Sequence, residues 1–187
     1  MFVLYAVPLG IVAGLLLGGR LERLADVGFR WAPLAVGGLF AQLAIFSTPV
    51  GVLLGDVAPF AYVASTVVVL AAVLRNAALP GMRLVAAGAI CNLVAILSNG
   101  GYMPADRGAL ALAGLSPADG VTNSILVTNP ALGFLTDIFA LPDWVPFANV
   151  FSIGDVLIAV GIARAIALGM ARPQAAPDPV RPGTSPD

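Results

Sequence analysis

The sequence predicts an all-α fold: a polytopic membrane helix bundle of five transmembrane helices, with short interfacial or re-entrant helices in one long external segment. Three observations predict it. Of 187 residues, 59% are hydrophobic and 10% charged, against roughly 25% charged in an ordinary soluble domain, so this surface needs lipid around it. Apolar runs of about 20 residues, the length that crosses a hydrocarbon core, recur along the chain between breaks carrying charge, Gly or Pro. Finally, the nine basic residues, all Arg, are distributed very unevenly between the two sides that those runs define.

The runs are residues 2–19, 31–48, 58–74, 82–98 and 152–170. They make 1–170 a single transmembrane domain with an external segment at 99–151. The first run resembles a secretory leader in length only. No basic residue precedes it, and Arg20 and Arg23 follow it, the reverse of a leader's charge order, so it reads as a retained helix. Gly10, Gly14 and Gly18 recur in it every four residues, which puts small residues on one face where another helix can approach closely. The fifth run opens with Ser152-Ile153-Gly154-Asp155, the pattern of a capping box.

Arginine sets the orientation. With five crossings, Arg20, Arg23, Arg30, Arg75, Arg83, Arg164, Arg172 and Arg181 share one side and Arg107 stands on the other. The positive-inside rule makes the arginine-rich side cytoplasmic, with the N-terminus outside and the C-terminus inside. Tyr5, Tyr62, Tyr102 and Trp144 then fall near the outer interface and Trp31 near the inner one, as aromatic belts require. Within the external segment, Ser116-Pro117-Ala118-Asp119 reads as one helix start and Asn129-Pro130 as another, running to about Ala140 before Pro142. The second is too short to span and is expected as an interfacial or re-entrant helix; a sixth crossing is the alternative, and it would spoil the arginine pattern. The stretch 171–187 has five Pro and little to bury, so a disordered cytoplasmic tail is expected.

Polar residues sit at revealing depths. Gln42 and Asn92 each lie six residues from an outer helix end, about 9 Å deep at the helical rise. Ser65, Thr66 and Asp155 also fall in outer halves, and Asn99 follows Asn92 by seven residues on the same face. Inner halves are nearly pure Leu, Val, Ile and Ala, apart from Arg164, which can snorkel. An outward-facing polar site of Gln42, Asn92, Asn99 and Asp155 is one reading; plain helix-to-helix hydrogen bonding is the other. Asp155 likewise reads as a cap and dipole partner, or as a carboxylate that binds a cation or passes a proton. The turn Asn99-Gly100-Gly101-Tyr102-Met103-Pro104 reads as a helix stop and reversal, or as a Gly-rich wall whose amides hold an anion or headgroup. Cys91 reads as a packing residue.

Absent residue types exclude chemistries. There is no His and one Cys, which removes a Ser-His-Asp triad, an intrachain disulfide, and the usual zinc, haem and iron–sulfur ligand sets. The net charge of −1 argues against nucleic acid. No catalytic residue, metal or cofactor is assigned.

The opening helix ending Gly18-Gly19-Arg20, the Asn99–Pro104 turn and Ser152-Ile153-Gly154-Asp155 resemble an uncharacterised family of small bacterial integral membrane proteins, over about residues 1–170. The resemblance implies a bacterial cytoplasmic membrane and assigns no activity. Three functional classes follow in order: a non-catalytic accessory or scaffold subunit of a membrane complex, with a membrane-protein partner or a second copy beside the lipid bilayer; a binder or transporter of a lipid-like or small polar ligand through the outward site; and a membrane enzyme using Asp155, with Asp137 as second acid.

Overall fold

The computed structural model describes residues 2–46, 49–115 and 124–171. The expected helix start at Ser116–Asp119, the arginines Arg172 and Arg181 and the tail from 172 lie outside those residues. The described chain is mostly helical. A 3-10 turn, Phe2–Tyr5, leads into α1 (Ala6–Leu16); α2 is Ala32–Phe46. A short α3 (Pro49–Leu54) and a 3-10 turn, Gly55–Val57, precede α4 (Ala58–Arg75), and α5 is Met82–Ser98. After an irregular segment that includes a short α6 (Arg107–Leu112), α7 runs over Ile153–Ala171.

Among the described residues two helical stretches are long and apolar enough to cross a membrane: Val50–Arg75, of 26 residues, and Ile153–Ala171, of 19; Phe2–Leu16, Ala32–Ile45 and Met82–Ser98 are apolar but shorter. Leu9, Leu16, Phe40, Leu43, Phe60, Leu97 and Val160 all stand exposed on these helices. Apolar residues surround each helix instead of forming one inward stripe, as expected of helices solvated by lipid.

The main helix pairs are α1 with α7, α7 with α5, α5 with α4, and α4 with α2. Among the described residues the helices therefore form a row, α1–α7–α5–α4–α2, in place of the expected bundle around a common interior. Glycines set the closest approach. A Cβ on Gly88 would lie 2.3 Å from the Gly154 oxygen, and one on Gly81 would lie 2.0 Å from the Gly161 oxygen. Gly81, the residue that caps α5, and Gly88 are seven apart, as are Gly154 and Gly161 on α7, so α5 and α7 run antiparallel along a glycine seam. Gly10 faces Ala163 and Ile166 while Gly14 faces Met170, so α1 and α7 run parallel. Gly38 meets Val69 and Gln42 meets Thr66, making α2 and α4 antiparallel. Tyr62 packs with Ala95 and Ile96, and Val73 with Met82 and Val85, making α4 and α5 antiparallel. The long helices thus alternate in direction along the chain.

Gly18 departs from the expected packing face. Helix α1 ends at Leu16, and Gly18 adopts a left-handed φ of 72°, with nothing within 4 Å of the point a Cβ would occupy; it reverses the chain, as a glycine after a helix end does. Gly19 takes the packing role, with its Cβ position 2.7 Å from the Met170 side chain. Gly14 has Met170 Sδ at 2.6 Å from its Cβ position, whereas Leu16 is 83% exposed. Gly14→Leu should therefore lower thermal stability in detergent by about 2 kcal/mol through overpacking, and Leu16→Ala by far less. Greater loss in the Leu16 variant would contradict this contact.

The segment between α5 and α7 corrects the all-α expectation. Strands β1 (Met103–Pro104) and β2 (Ser124–Ile125) pair in parallel, and β3 (Phe139–Leu141) and β4 (Asn149–Phe151) form an antiparallel pair. The helix expected from Asn129-Pro130 to Ala140 is replaced by a 3-10 turn, Gly133–Leu135, and β3. Leu132 takes a left-handed φ of 52°, and long-range pairing captures the rest: Asp137 N–H donates to the Pro104 carbonyl and Asp106 N–H to the Asp137 carbonyl, both at 3.0 Å. Asp106 caps α6 by accepting from Ala109 N–H at 2.9 Å. Ala105, Ala109, Leu110, Ala113 and Val150 give this segment its own core.

Candidate functional site

The densest polar geometry lies where α7 begins. Ser152 N–H donates to Asp155 Oδ2 and Asp155 N–H donates to Ser152 Oγ, each at 3.0 Å. This reciprocal pair satisfies two of the amides that a helix start leaves unpaired. Helix α5 joins through Asn92, whose Nδ2 donates to Asp155 Oδ1 at 2.8 Å and whose Oδ1 accepts from Ser152 Oγ at 2.8 Å. The reverse amide orientation would set two acceptor oxygens against each other at Asp155, so the network fixes it. Ser152 is fully buried.

Glycine makes the junction possible. A Cβ on Gly154 would stand 1.9 Å from Asn92 Oδ1, so any side chain there would expel the amide from its position between Ser152 and Asp155. The Asp155 carboxylate therefore meets two donors and the positive end of the α7 dipole. Its partners are an amide and a backbone N–H; neither is an acid. The arrangement fixes the Asp155 side chain in place and locks α5 to α7.

The four residues expected at one outward polar site occupy three places. Asn92 and Asp155 come together. Gln42 instead donates from Nε2 to Thr66 Oγ1 at 3.2 Å, and Thr66 donates to the Tyr62 carbonyl at 2.9 Å; Ser65 donates to that carbonyl at 2.7 Å. The row explains the separation, because α4 stands between α2 and α5. Asn99 clamps a loop: its Nδ2 donates to the Ala131 carbonyl at 2.9 Å and the Ala95 carbonyl at 2.8 Å, and its Oδ1 accepts from Ala131 N–H at 2.9 Å.

The rest of the Asn99–Pro104 turn is built into the fold. Gly100 and Gly101 have left-handed φ values of 73° and 91°, and Gly101 N–H donates to the Ile96 carbonyl at 2.9 Å, the pattern that closes a helix C-terminus. A Cβ on Gly101 would lie 2.7 Å from Pro59, so packed side chain fills the place where an anion would sit against Gly101. Met103 and Pro104 are buried and pair with Ser124 and Ile125. Asp137 is buried in the same segment with its backbone in the pairing described above.

Several structural residues were not singled out from sequence. Asn76, 4% exposed, ends α4 and ties it to the approach to α2: it accepts from Arg30 N–H at 2.8 Å and donates to the carbonyls of Arg30 and Ala72, each at 2.7 Å. Arg23 Nη1, at 3.2 Å, and Arg20 N–H, at 3.0 Å, both donate to the Met170 carbonyl at the end of α7, where a cation also meets the negative end of the dipole. The glycine seam was missed as well; the signal that could have found it is two seven-residue spacings, Gly81–Gly88 and Gly154–Gly161. A cavity of about 420 Å³ is lined by Arg107, Leu110, Ala111, Leu115 and Leu126, and one of about 310 Å³ by Arg20, Glu22, Arg23 and Asp26. Neither is lined by Gln42, Asn92, Asn99 or Asp155.

A family of unknown function, DUF5317, matches the chain over residues 26–167. The match begins after the Gly18-Gly19-Arg20 motif and after α1. No curated protein and no solved structure matches the chain.

Proposed function

The chain belongs to DUF5317, a family of unknown function, and we propose on that footing that it is a non-catalytic integral membrane protein, an accessory or scaffold subunit of a membrane complex. One observation carries this reading. The residues best equipped for chemistry at membrane depth, Asp155 and Asn92, are engaged with each other and with Ser152 in holding two helices together.

The same reading has five crossings, with the N-terminus outside and the C-terminus in the cytoplasm of a bacterial inner membrane. Support comes from the alternating helix directions, from the exposed apolar side chains on every long helix and from the arginines. Arg20, Arg23, Arg30, Arg75 and Arg83 sit at the ends of α1, α2, α4 and α5 that share one pole, and Arg107 at the other. The irregular segment between α5 and α7 also belongs outside the hydrocarbon, where short open strands are tolerated. At the edge of the row, α2 has α4 as its main long-helix neighbour and leaves Gly37 with nothing within 4 Å of its Cβ position, a surface suited to a further helix.

Purification of the tagged protein from its own membranes in a mild detergent tests the role. A second membrane protein, or a second copy, is expected at fixed stoichiometry. A monomer carrying one tightly held lipid or small molecule would overturn the scaffold reading in favour of a binder.

A further inference from the structure

The segment between α5 and α7 has two characters. Asp106 and Arg107 are exposed around α6, while residues 130–135 and 144–151 contain no charged residue. The two uncharged stretches carry aromatics turned outward: Phe134 is 66% exposed, Trp144 80% and Phe147 68%. Large apolar residues this bare on a segment that has its own core call for a covering surface.

Each stretch is tied to the outer end of a long helix. The Asn99 side chain, at the end of α5, holds Ala131 by two hydrogen bonds, which places Phe134 three residues on. Tyr5 at the start of α1 donates its hydroxyl to the Pro146 carbonyl, and Phe2 stacks on Phe151 with ring centroids 4.1 Å apart. Trp144 and Phe147 flank that tether. Leu132 and Phe147 also have left-handed φ values, 52° and 59°, an uncommon conformation for bulky residues. Three backbone amides in the Trp144 turn are paired: Asp143 N–H on Leu112, Val145 N–H on Pro142 and Ala148 N–H on Val145, at 2.9–3.1 Å. Each amide paired within the protein lowers the cost of entering a poorly hydrating layer.

We infer that Phe134, Trp144 and Phe147 seat this segment on the outer leaflet, dipping into the layer between headgroups and acyl chains, so that it lies against the lipid surface instead of standing in water. The occupant is lipid because the patches are tied to the ends of α1 and α5, helices that themselves carry the exposed apolar residues Leu4, Val7, Leu9 and Leu97. Aromatic side chains favour that layer. The inference rests on the five-crossing reading.

The chain has two tryptophans, Trp31 and Trp144, at opposite poles. Trp31→Phe and Trp144→Phe proteins, with the Tyr replacements as substitutes should either fail to fold, are reconstituted in phosphatidylcholine vesicles containing lipids brominated at different chain depths. Trp144 emission should be blue-shifted, quenched more by bromine near the glycerol than near the chain end, and protected from aqueous iodide. If Trp144 is open to iodide and untouched by brominated lipid while Trp31 is quenched by it, the seating is wrong and the membrane reading stands. Trp144 shielded from both quenchers would mean that protein covers it, and would also overturn the inference. If brominated lipid quenches neither tryptophan, both readings fail.

Discussion

Gly88→Leu is expected to be a severely damaging substitution in α5. A Cβ there would meet the Gly154 carbonyl oxygen at 2.3 Å, Ile158 Cγ1 at 2.9 Å and the Ile158 nitrogen at 3.0 Å. Two of these three are backbone atoms, which cannot rotate aside, so α5 and α7 must separate. Separation also pulls Asn92 away from Ser152 and Asp155 one turn further along α5. The combined loss should be about 3 kcal/mol or more, on the order of 10 °C in the midpoint of thermal unfolding in detergent. Gly28→Leu is the matched control, since Gly28 is exposed and nothing lies within 4 Å of its Cβ position. Equal melting of the two variants would show that α5 and α7 do not meet along the glycine seam.

Asp155→Leu should be nearly as harmful, for an electrostatic reason. Leu removes the acceptor for Ser152 N–H and for Asn92 Nδ2 and leaves two donors unsatisfied, at about 1–3 kcal/mol each when buried. Both hydrogen bonds are part-buried, which favours a total of about 2–4 kcal/mol. Asp155→Asn keeps one acceptor, and an accompanying flip of the Asn92 amide lets the new amide donate to it, so a loss of about 1 kcal/mol is expected. The order of thermal midpoints should be wild type, Asn, then Leu. An Asn variant that folds normally yet loses a cellular phenotype would assign the charge a function beyond the cap. An Asn variant indistinguishable from wild type in phenotype supports the structural role.

The helices were legible because each needs only a long apolar run, and the expected 58–74, 82–98 and 152–170 lie within a residue of α4, α5 and α7 at each end. Their neighbours were not legible. These helices are apolar on every face, so no stripe marks the side that packs, and the order of the row rests on where glycine permits backbone contact. Gly10 and Gly14 carried that signal; Gly18 shared the spacing but sits past the helix end, where a left-handed turn uses glycine differently. Polar depth placed Gln42 and Asn92 at one level, yet depth says nothing of which helix lies between them. The capping box at Ser152–Asp155 is a local pattern and could be read directly, whereas its third member, Asn92, is 60 residues away from Ser152. The segment between α5 and α7 was least legible: strands of two or three residues have no periodicity to detect, and Asp137 is drawn into pairing by Pro104 and Asp106, which are distant in sequence.

The proposed five crossings underlie the proposed orientation and the placing of the irregular segment outside. Reporter fusions after Gly19, Pro49, Asn76, Asp119 and Asp187 measure it directly. The account predicts cytoplasmic, external, cytoplasmic, external and cytoplasmic signals in that order; an external signal from the fusion at Asp187 would contradict it.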